Sequence, residues 1–234
     1  MHAMILAAGR GERMRPLTDT LPKPLLAVSG RPLIQYHIEG LVRAGVSEIV
    51  INLAWKGDRI REALGDGKAF GVRIVYSDEG DRGLETAGGI RNALPLLGTR
   101  PFLLANGDVW TDYPYEQLRR HVVAGLGHEE GDQAHIVLVS NPPQHVRGDF
   151  SLDGDRVIES PQNTHTYAGI GVYSAAFFAQ CPDGPVRLID PLRAAIRDRR
   201  LSGEVYDGRW FDVGTPQRLA EVDQIVRALG ESGR

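Results

Sequence analysis

Residues 4–17 read Met4-Ile5-Leu6-Ala7-Ala8-Gly9-Arg10-Gly11-Glu12-Arg13-Met14-Arg15-Pro16-Leu17. The apolar run 4–8 is typical of a buried strand, and two glycines end it where the backbone has to bend. A polar, basic loop without apolar periodicity follows. In open α/β sheets ligands bind at the carboxyl ends of the strands, and a glycine-rich turn with converging cations is suited to phosphate. The pattern predicts an α/β fold with an anion site after its first strand.

The loop differs from two common phosphate-binding motifs. A dinucleotide-binding fingerprint requires a third glycine, but Met14 stands at that position. A Walker loop requires Gly-Lys followed by Ser or Thr, which the sequence lacks. On Gly9-Arg10-Gly11 alone, a tight turn with solvated arginines explains the pattern as well as a ligand site does.

Length, charge and cysteine content restrict the class of protein. The chain has 234 residues, enough for one large α/β domain, and a formal net charge of −3 with no basic excess for nucleic acid. No apolar run approaches the roughly 20 residues of a membrane span. The one cysteine, Cys181, has no partner for a disulfide, and the seven histidines show no metal-ligand spacing. We expect a soluble cytoplasmic protein, monomeric or a small homo-oligomer, that binds neither nucleic acid nor membranes.

Apolar strands and amphipathic helices alternate along the chain. The predicted strands are 49–53, 72–76, 101–105, 136–140, 167–173 and 210–213, with a hairpin over 149–158 that turns at Asp153-Gly154. The predicted helices are 33–42, 58–64, 86–97, 175–180, 191–199 and 216–229. This order predicts a single-domain, Rossmann-like, doubly wound α/β fold with a mixed sheet and a small β-rich subregion.

Two predicted strand ends carry aspartates. Asn106-Gly107-Asp108 follows the strand 101–105, and Asp212 lies at the end of the strand 210–213. Each aspartate alone is explained by a turn, since Asn, Gly and Asp are turn formers. Together they face the crevice of the first loop, and Mg²⁺ prefers one or two carboxylates completed by water and phosphate oxygens. The pair therefore predicts a Mg²⁺ site formed by Asp108 and Asp212.

Four segments together resemble the sugar-1-phosphate nucleotidyltransferases, the nucleoside-diphosphate-sugar pyrophosphorylases. They are the loop 6–18 with Pro22-Lys23-Pro24-Leu25, Asn106-Gly107-Asp108, Trp210-Phe211-Asp212-Val213-Gly214-Thr215, and Leu84-Glu85-Thr86-Ala87-Gly88-Gly89. The resemblance implies the nucleotide-diphospho-sugar transferase fold as one domain over 1–229. A nucleotide-binding half spans about 1–110 and a sugar-binding half about 111–229, and 230–234 form a frayed tail.

The resemblance implies that the chain transfers a nucleotidyl group from a nucleoside triphosphate to a sugar 1-phosphate, with Mg²⁺. Arg15 and Lys23 are the implied catalytic residues: Arg15 braces the leaving phosphates, and Lys23 bridges the attacking phosphate and the α-phosphate. The implied nucleotide-binding residues are Leu6, Ala7, Ala8, Gly9, Gly11, Glu12, Arg13, Glu79, Gly83 and Asn106. The implied sugar-binding residues are Gly148, Glu159 and Gly169, and the metal ligands are Asp108 and Asp212.

The chain departs from the family pattern near the implied sugar site. The family often has Glu-Lys-Pro where this chain has Glu159-Ser160-Pro161. Arg187, Arg193 and Arg209 are candidates to replace the lysine, although a solvated arginine explains each of them better.

The segment 77–89 and the short chain restrict the choice of nucleotide and sugar. Both resemble the N-acetylmuramate-1-phosphate uridylyltransferase branch, which uses UTP in the recycling of cell-wall sugars. A mannose-1-phosphate guanylyltransferase or another sugar nucleotidyltransferase remains open, as does a non-catalytic sugar-nucleotide-binding regulator. A regulator of this fold is expected to lack Lys23 or the metal acids, and all three are present.

Overall fold

The computed structural model describes residues 1–80, 83–123, 126–127 and 131–232. The strands are β1 (His2–Leu6), β2 (Ala27–Val28), β3 (Arg31–Pro32), β4 (Glu48–Leu53), β5 (Arg73–Asp78), β6 (Phe102–Asn106), β7 (Val109–Thr111), β8 (Ala134–Ser140), β9 (Ser151–Asp153), β10 (Arg156–Ile158), β11 (His165–Tyr173), β12 (Leu201–Val205) and β13 (Trp210–Asp212). The helices are α1 (Leu33–Arg43), α2 (Gly57–Leu64), α3 (Glu85–Leu97), α4 (Glu116–Val123), α5 (Ala175–Ala179), α6 (Ile189–Arg197) and α7 (Pro216–Ser232).

Nine of the strands form one mixed sheet in the order β5-β4-β1-β6-β11-β8-β12-β10-β9. The strands β5, β4, β1 and β6 are parallel, whereas β11 runs antiparallel between β6 and β8. The predicted hairpin, β9–β10, closes the far edge, but its two turn residues are Gly154 and Asp155, one position later than predicted, because Asp153 still pairs with Arg156. The predicted doubly wound mixed α/β fold is confirmed.

The central strand β1 is covered on both faces. Ala3 and Ile5 pack with α1, α2 and α4 on one face, whereas Met4 packs with α3, α5 and α6 on the other, and all three residues are 0% exposed. A strand buried on both faces is apolar at every position, which explains the continuous apolar run in the sequence.

The first strand ends earlier than the apolar run predicts. β1 stops at Leu6, so Ala7 and Ala8 belong to the loop. The reason is that the amide of Ala7 donates to the side-chain Oδ1 of Asn52 at 2.7 Å and not to a neighbouring strand.

The carboxyl-terminal helix ends later than predicted. α7 continues to Ser232, so 230–232 are helical and not a frayed tail, while 233–234 lie outside the described residues. Gly230 is a poor helix former, but it adds only about 1 kcal/mol of cost to a helix that Val222 and Val226 already anchor in a third apolar cluster. Within the described ranges, no helix is long and apolar enough to cross a membrane.

Candidate active site

A cleft of about 730 Å³ lies at the carboxyl ends of β1, β4 and β6. The loop after β1 and the connection from β5 to α3 form its walls. The predicted residues that line it are Leu6, Ala7, Ala8, Gly9, Gly11, Glu12, Arg13, Lys23, Glu79, Gly83, Asn106 and Asp108. These twelve positions, predicted from separate segments of the sequence, are therefore brought together. Asp81 and Arg82, in the predicted base-binding segment, lie outside the described residues.

The loop after β1 folds into three single turns of 3₁₀ helix, Glu12–Met14, Leu17–Asp19 and Lys23–Leu25. Gly11 enters the first of them with φ of 62°. A Cβ atom there would lie 3.0 Å from Cγ2 of Thr18 and 3.2 Å from Cβ of Lys23. The hydroxyl of Thr18 donates to the carbonyl of Gly11 at 2.9 Å and closes the loop. Gly11 therefore allows the loop to pack tightly enough to present Lys23 to the cleft.

Lys23 and Asp108 form an ion pair at the floor of the cleft. Nζ of Lys23 donates to Oδ2 of Asp108 at 2.8 Å, although the two residues are 85 positions apart in the chain. The lysine side chain is only 8% exposed, whereas the aspartate is 43% exposed. A buried ammonium requires such a partner, and the pair leaves a carboxylate facing solvent in the cleft.

Asp212 lies beside this pair, although it does not line the cleft. In the two-stranded sheet of β7 and β13, Asp212 stands opposite Val109, the residue after Asp108. Its carboxylate accepts a hydrogen bond from the guanidinium of Arg218 and is 28% exposed.

Asn106, two residues before Asp108, supplies a further oxygen at the cleft. Its Oδ1 is buried and has no hydrogen-bond partner among the described residues. A buried oxygen without a partner, two residues along the chain from the partly exposed carboxylate of Asp108, matches the oxygen ligands that Mg²⁺ prefers. The residues present therefore fit a divalent cation.

Glu79 is held by two protein donors at the wall of the cleft. Its Oε1 accepts from Nδ2 of Asn52 at 2.6 Å, and its Oε2 accepts from the amide of Leu84 at 2.8 Å. Burial raises the pKa of this carboxyl, and the two hydrogen bonds only partly offset that effect. Gly89 makes room for it, since a Cβ there would lie 2.1 Å from Oε1. The carboxylate is thus fixed in place while its remaining lone pairs stay available to a ligand.

The other predicted site residues lie away from the cleft lining. Arg15 is a 61% exposed side chain whose Nε lies 3.4 Å from Oδ1 of Asp19. Gly169, with φ of 73°, packs directly against Asn106, and a Cβ there would lie 2.5 Å from its Nδ2. Gly148, with φ of 59°, packs against the side chain of Asn141.

The profile of the nucleotidyl transferase family matches residues 2–228. The chain belongs to this family. Two N-acetylmuramate alpha-1-phosphate uridylyltransferases are similar over nearly their whole length. That of Neisseria meningitidis serogroup B is 50% identical over 97% of this chain and 99% of its own. That of Caulobacter vibrioides is 35% identical and spans 97% of each chain.

More distant relatives of this nucleotidyltransferase carry the names of other sugar phosphates. A mannose-1-phosphate guanyltransferase of Aspergillus fumigatus is 33% identical over 93% of this chain but only 62% of its own. The fold is that of a solved putative glucose-1-phosphate thymidylyltransferase from Bacillus anthracis in complex with sucrose. That structure superposes with a TM-score of 0.86 at 21% identity and covers 97% of this chain and 96% of its own. The resemblance inferred from the sequence is confirmed at the level of the family.

Among the residues of the nucleotidyltransferase cleft that sequence reasoning missed, Asn52 and Trp55 make side-chain contacts with other cleft residues. Asn52 bridges the amide of Ala7 and the carboxylate of Glu79, and its signal was a polar residue inside the apolar strand β4. Trp55 lines the cleft, and the guanidinium of Arg10 lies 5.4 Å from its ring centroid. An isolated tryptophan after a strand has no local signature, so only the tertiary structure shows its place.

The arginines near the implied sugar site differ in what they contact. Nε of Arg193 on α6 lies 2.8 Å from Oε1 of Glu159, whereas Arg187 and Arg209 pair with Asp190 and Asp112. Of the three candidates for the replaced family lysine, Arg193 is the one that contacts the predicted sugar-binding glutamate.

Proposed function

We propose that this nucleotidyltransferase transfers the uridylyl group of UTP to N-acetylmuramate 1-phosphate and releases pyrophosphate. The single observation that carries the proposal is the ion pair between buried Lys23 and partly exposed Asp108, on the floor of a cleft walled by a glycine-rich loop. The choice of substrates is supported by the two uridylyltransferases described above, each of which matches 97% of the chain.

In the proposed reaction, a phosphate oxygen of the sugar 1-phosphate attacks the α-phosphorus of UTP. One P–O bond forms, the bond between the α-phosphorus and its bridging oxygen breaks, and pyrophosphate leaves with the electron pair. The attacking phosphate is already an anion at neutral pH, so no protein base has to remove a proton. The task of the protein is to position two anions and offset their charge.

Lys23 is the proposed bridge between the attacking phosphate and the α-phosphate. Arg15, whose side chain is 61% exposed, is proposed to bind the departing pyrophosphate. Enzymes of this family generally use a divalent metal ion. We propose Mg²⁺, held by Asp108 and Asp212, which when bound neutralises phosphate oxygens.

The base and the sugar are assigned to opposite halves of one domain over 1–229. In the half 1–110, the carboxyl of Glu79 and the backbone at Gly83 are proposed to bind the uracil. The loop residues and Asn106 contact the ribose and the phosphates. In the half 111–229, Gly148, Glu159 and Gly169 are the proposed sugar contacts.

The test is pyrophosphate release across UTP, dTTP, GTP and CTP, each combined with several sugar 1-phosphates in the presence of Mg²⁺. We expect turnover with UTP and N-acetylmuramate 1-phosphate. Turnover confined to GTP and mannose 1-phosphate would support nucleotidyl transfer but contradict the proposed substrates. Tight binding of a nucleotide sugar without turnover in any combination would favour a regulator instead.

A further inference from the structure

Two histidines and a glutamate meet between α4 and the sheet, on side chains that do not line the cleft. His121 lies on α4, His135 on β8 and Glu204 on β12. The two imidazole rings stack with their centroids 3.6 Å apart. One ligand atom from each residue lies within 4.8 Å of the other two. The sequence, in which the histidines show no metal-ligand spacing, did not predict this cluster.

Both imidazoles direct an unpaired nitrogen into the interior. The Nε2 atoms of His121 and His135 are buried and have no hydrogen-bond partner among the described residues. Nε2 of His135 lies 3.8 Å from Oε2 of Glu204, which is too long for a hydrogen bond. The side chain of His135 is only 4% exposed, so water does not easily satisfy this atom. Buried polar atoms without a partner are rare, and two adjacent ones require an explanation.

We propose that His121, His135 and Glu204 form a second metal site, distinct from the proposed site at Asp108 and Asp212, that binds Zn²⁺ or a similar first-row transition-metal dication. Two imidazole nitrogens and one carboxylate oxygen form a three-ligand set that Zn²⁺ accepts, with water in the fourth position. Mg²⁺ prefers oxygen ligands and is disfavoured at such a site.

A hydroxyl group next to the cluster orients one of the two imidazole rings, as is common for histidines that bind a metal. Nδ1 of His135 lies 2.9 Å from the hydroxyl of Ser202, which orients the ring and leaves Nε2 for the metal.

Arg120 competes with the proposed metal for the carboxylate of Glu204. Its Nη2 donates to Oε2 of Glu204 at 2.6 Å, the oxygen that faces His135, while the hydroxyl of Tyr113 donates to Oε1. The arginine side chain is 63% exposed and can turn into solvent, whereas Tyr113 can keep its bond. Metal binding at Oε2 thus exchanges one cationic partner of Glu204 for another. Removal of the arginine is expected to strengthen binding.

The test is a Zn²⁺ titration of the purified chain, followed by calorimetry and by metal analysis after dialysis. Excess Mg²⁺ is present throughout, so that Asp108 and Asp212 are occupied. We expect one Zn²⁺ per chain and a higher melting temperature, because a ligand that binds only the folded state stabilises it. Co²⁺ in place of Zn²⁺ is expected to give the visible absorption of a tetrahedral nitrogen–oxygen site.

Three variants distinguish Zn²⁺ binding at this site from Zn²⁺ binding at any exposed histidine. His121→Ala should lose Zn²⁺ binding, and Arg120→Gln should bind Zn²⁺ more tightly. His145→Ala, which removes a 43% exposed histidine paired with Asp149, should behave as the wild type. Pyrophosphate release with Mg²⁺ should stay unchanged in His121→Ala. Equal Zn²⁺ binding by the wild type and a folded His121→Ala would overturn the proposal, as would no saturable binding by the wild type.

Discussion

At the scale of single residues, Lys23 makes the contact on which the proposed chemistry depends. We expect Lys23→Ala to lower kcat/KM by roughly 10²–10³, the usual cost of removing one group that stabilises the transition-state charge. The partner carboxylate, Asp108, is 43% exposed and can be solvated, so the melting temperature should change little. Steady-state kinetics and thermal unfolding test both expectations. Lys68→Ala is the control, because Lys68 is 88% exposed and pairs with Asp66, away from the cleft. Equal rates for the two variants would contradict the role of Lys23.

Glu79 makes the stability of the protein depend on pH. Burial raises its pKa above the ordinary value of 4.5, so the folded state favours the protonated carboxyl. The resulting stabilisation is present below 4.5 and is lost as the pH rises through the folded-state pKa. The free energy of unfolding of the wild type, minus that of Glu79→Gln, should therefore fall from acid to neutral pH.

Urea unfolding at several pH values measures this slope. Glutamine also loses one of the two hydrogen bonds, to Asn52 or Leu84, which shifts the difference by a constant but leaves its pH dependence. Glu62→Gln, an exposed carboxylate on α2, is the control. A flat difference between the wild type and Glu79→Gln would show that the carboxyl is not perturbed.

At the scale of elements, the shape of the loop after β1 depends on Gly11. Gly11→Ala introduces a Cβ at positive φ and 3.0 Å from Thr18, and we expect a loss of about 1–3 kcal/mol in the free energy of unfolding. Gly9→Ala is a matched control, because a Cβ at Gly9 meets no atom within 4 Å and its φ is not positive. Urea unfolding compares the two. Equal losses would mean that the strained turn is not what requires glycine.

The elements with strong local patterns were predicted from the sequence, and those held by distant partners were not. The strand β4 and the helix α1 have continuous apolar or helical periodicity, so their existence and type were predicted correctly. β12, α4 and β7 were missed. β12 carries Gly203 and Glu204 among few apolar residues and is stabilised by pairing with β8. Such pairing is a property of the sheet and leaves little trace in five residues of sequence.

At the scale of the whole molecule, a small sheet is joined to the large one next to the proposed metal site. Nε1 of Trp210 on β13 donates to the carbonyl of Ala168 on β11 at 2.8 Å. β13 also carries Asp212, so this bond helps to place one of the two proposed ligands. We expect Trp210→Phe to cost about 1 kcal/mol of stability and to raise the Mg²⁺ concentration needed for half-maximal activity. Turnover at saturating Mg²⁺ should recover to the wild-type rate. An unchanged Mg²⁺ requirement would show that Trp210 does not help to position Asp212.

The sequence by itself determined the layout of the protein. The apolar run before Gly9, the order of strands and helices, and the motifs at Lys23, Asp108 and Asp212 predicted the fold, the family and most of the cleft residues. These features are local, because the burial of a strand and the ends of a helix depend on residues that are close together in the sequence.

Only the tertiary structure decided which side chains meet. The pairing of Lys23 with Asp108, the support of Glu79 by Asn52, and the cluster of His121, His135 and Glu204 each join residues from separate elements. Spacing along the chain carries no information about such contacts, because sheet order and helix packing bring distant residues together. The proposed second metal site could therefore be found only after the chain was folded.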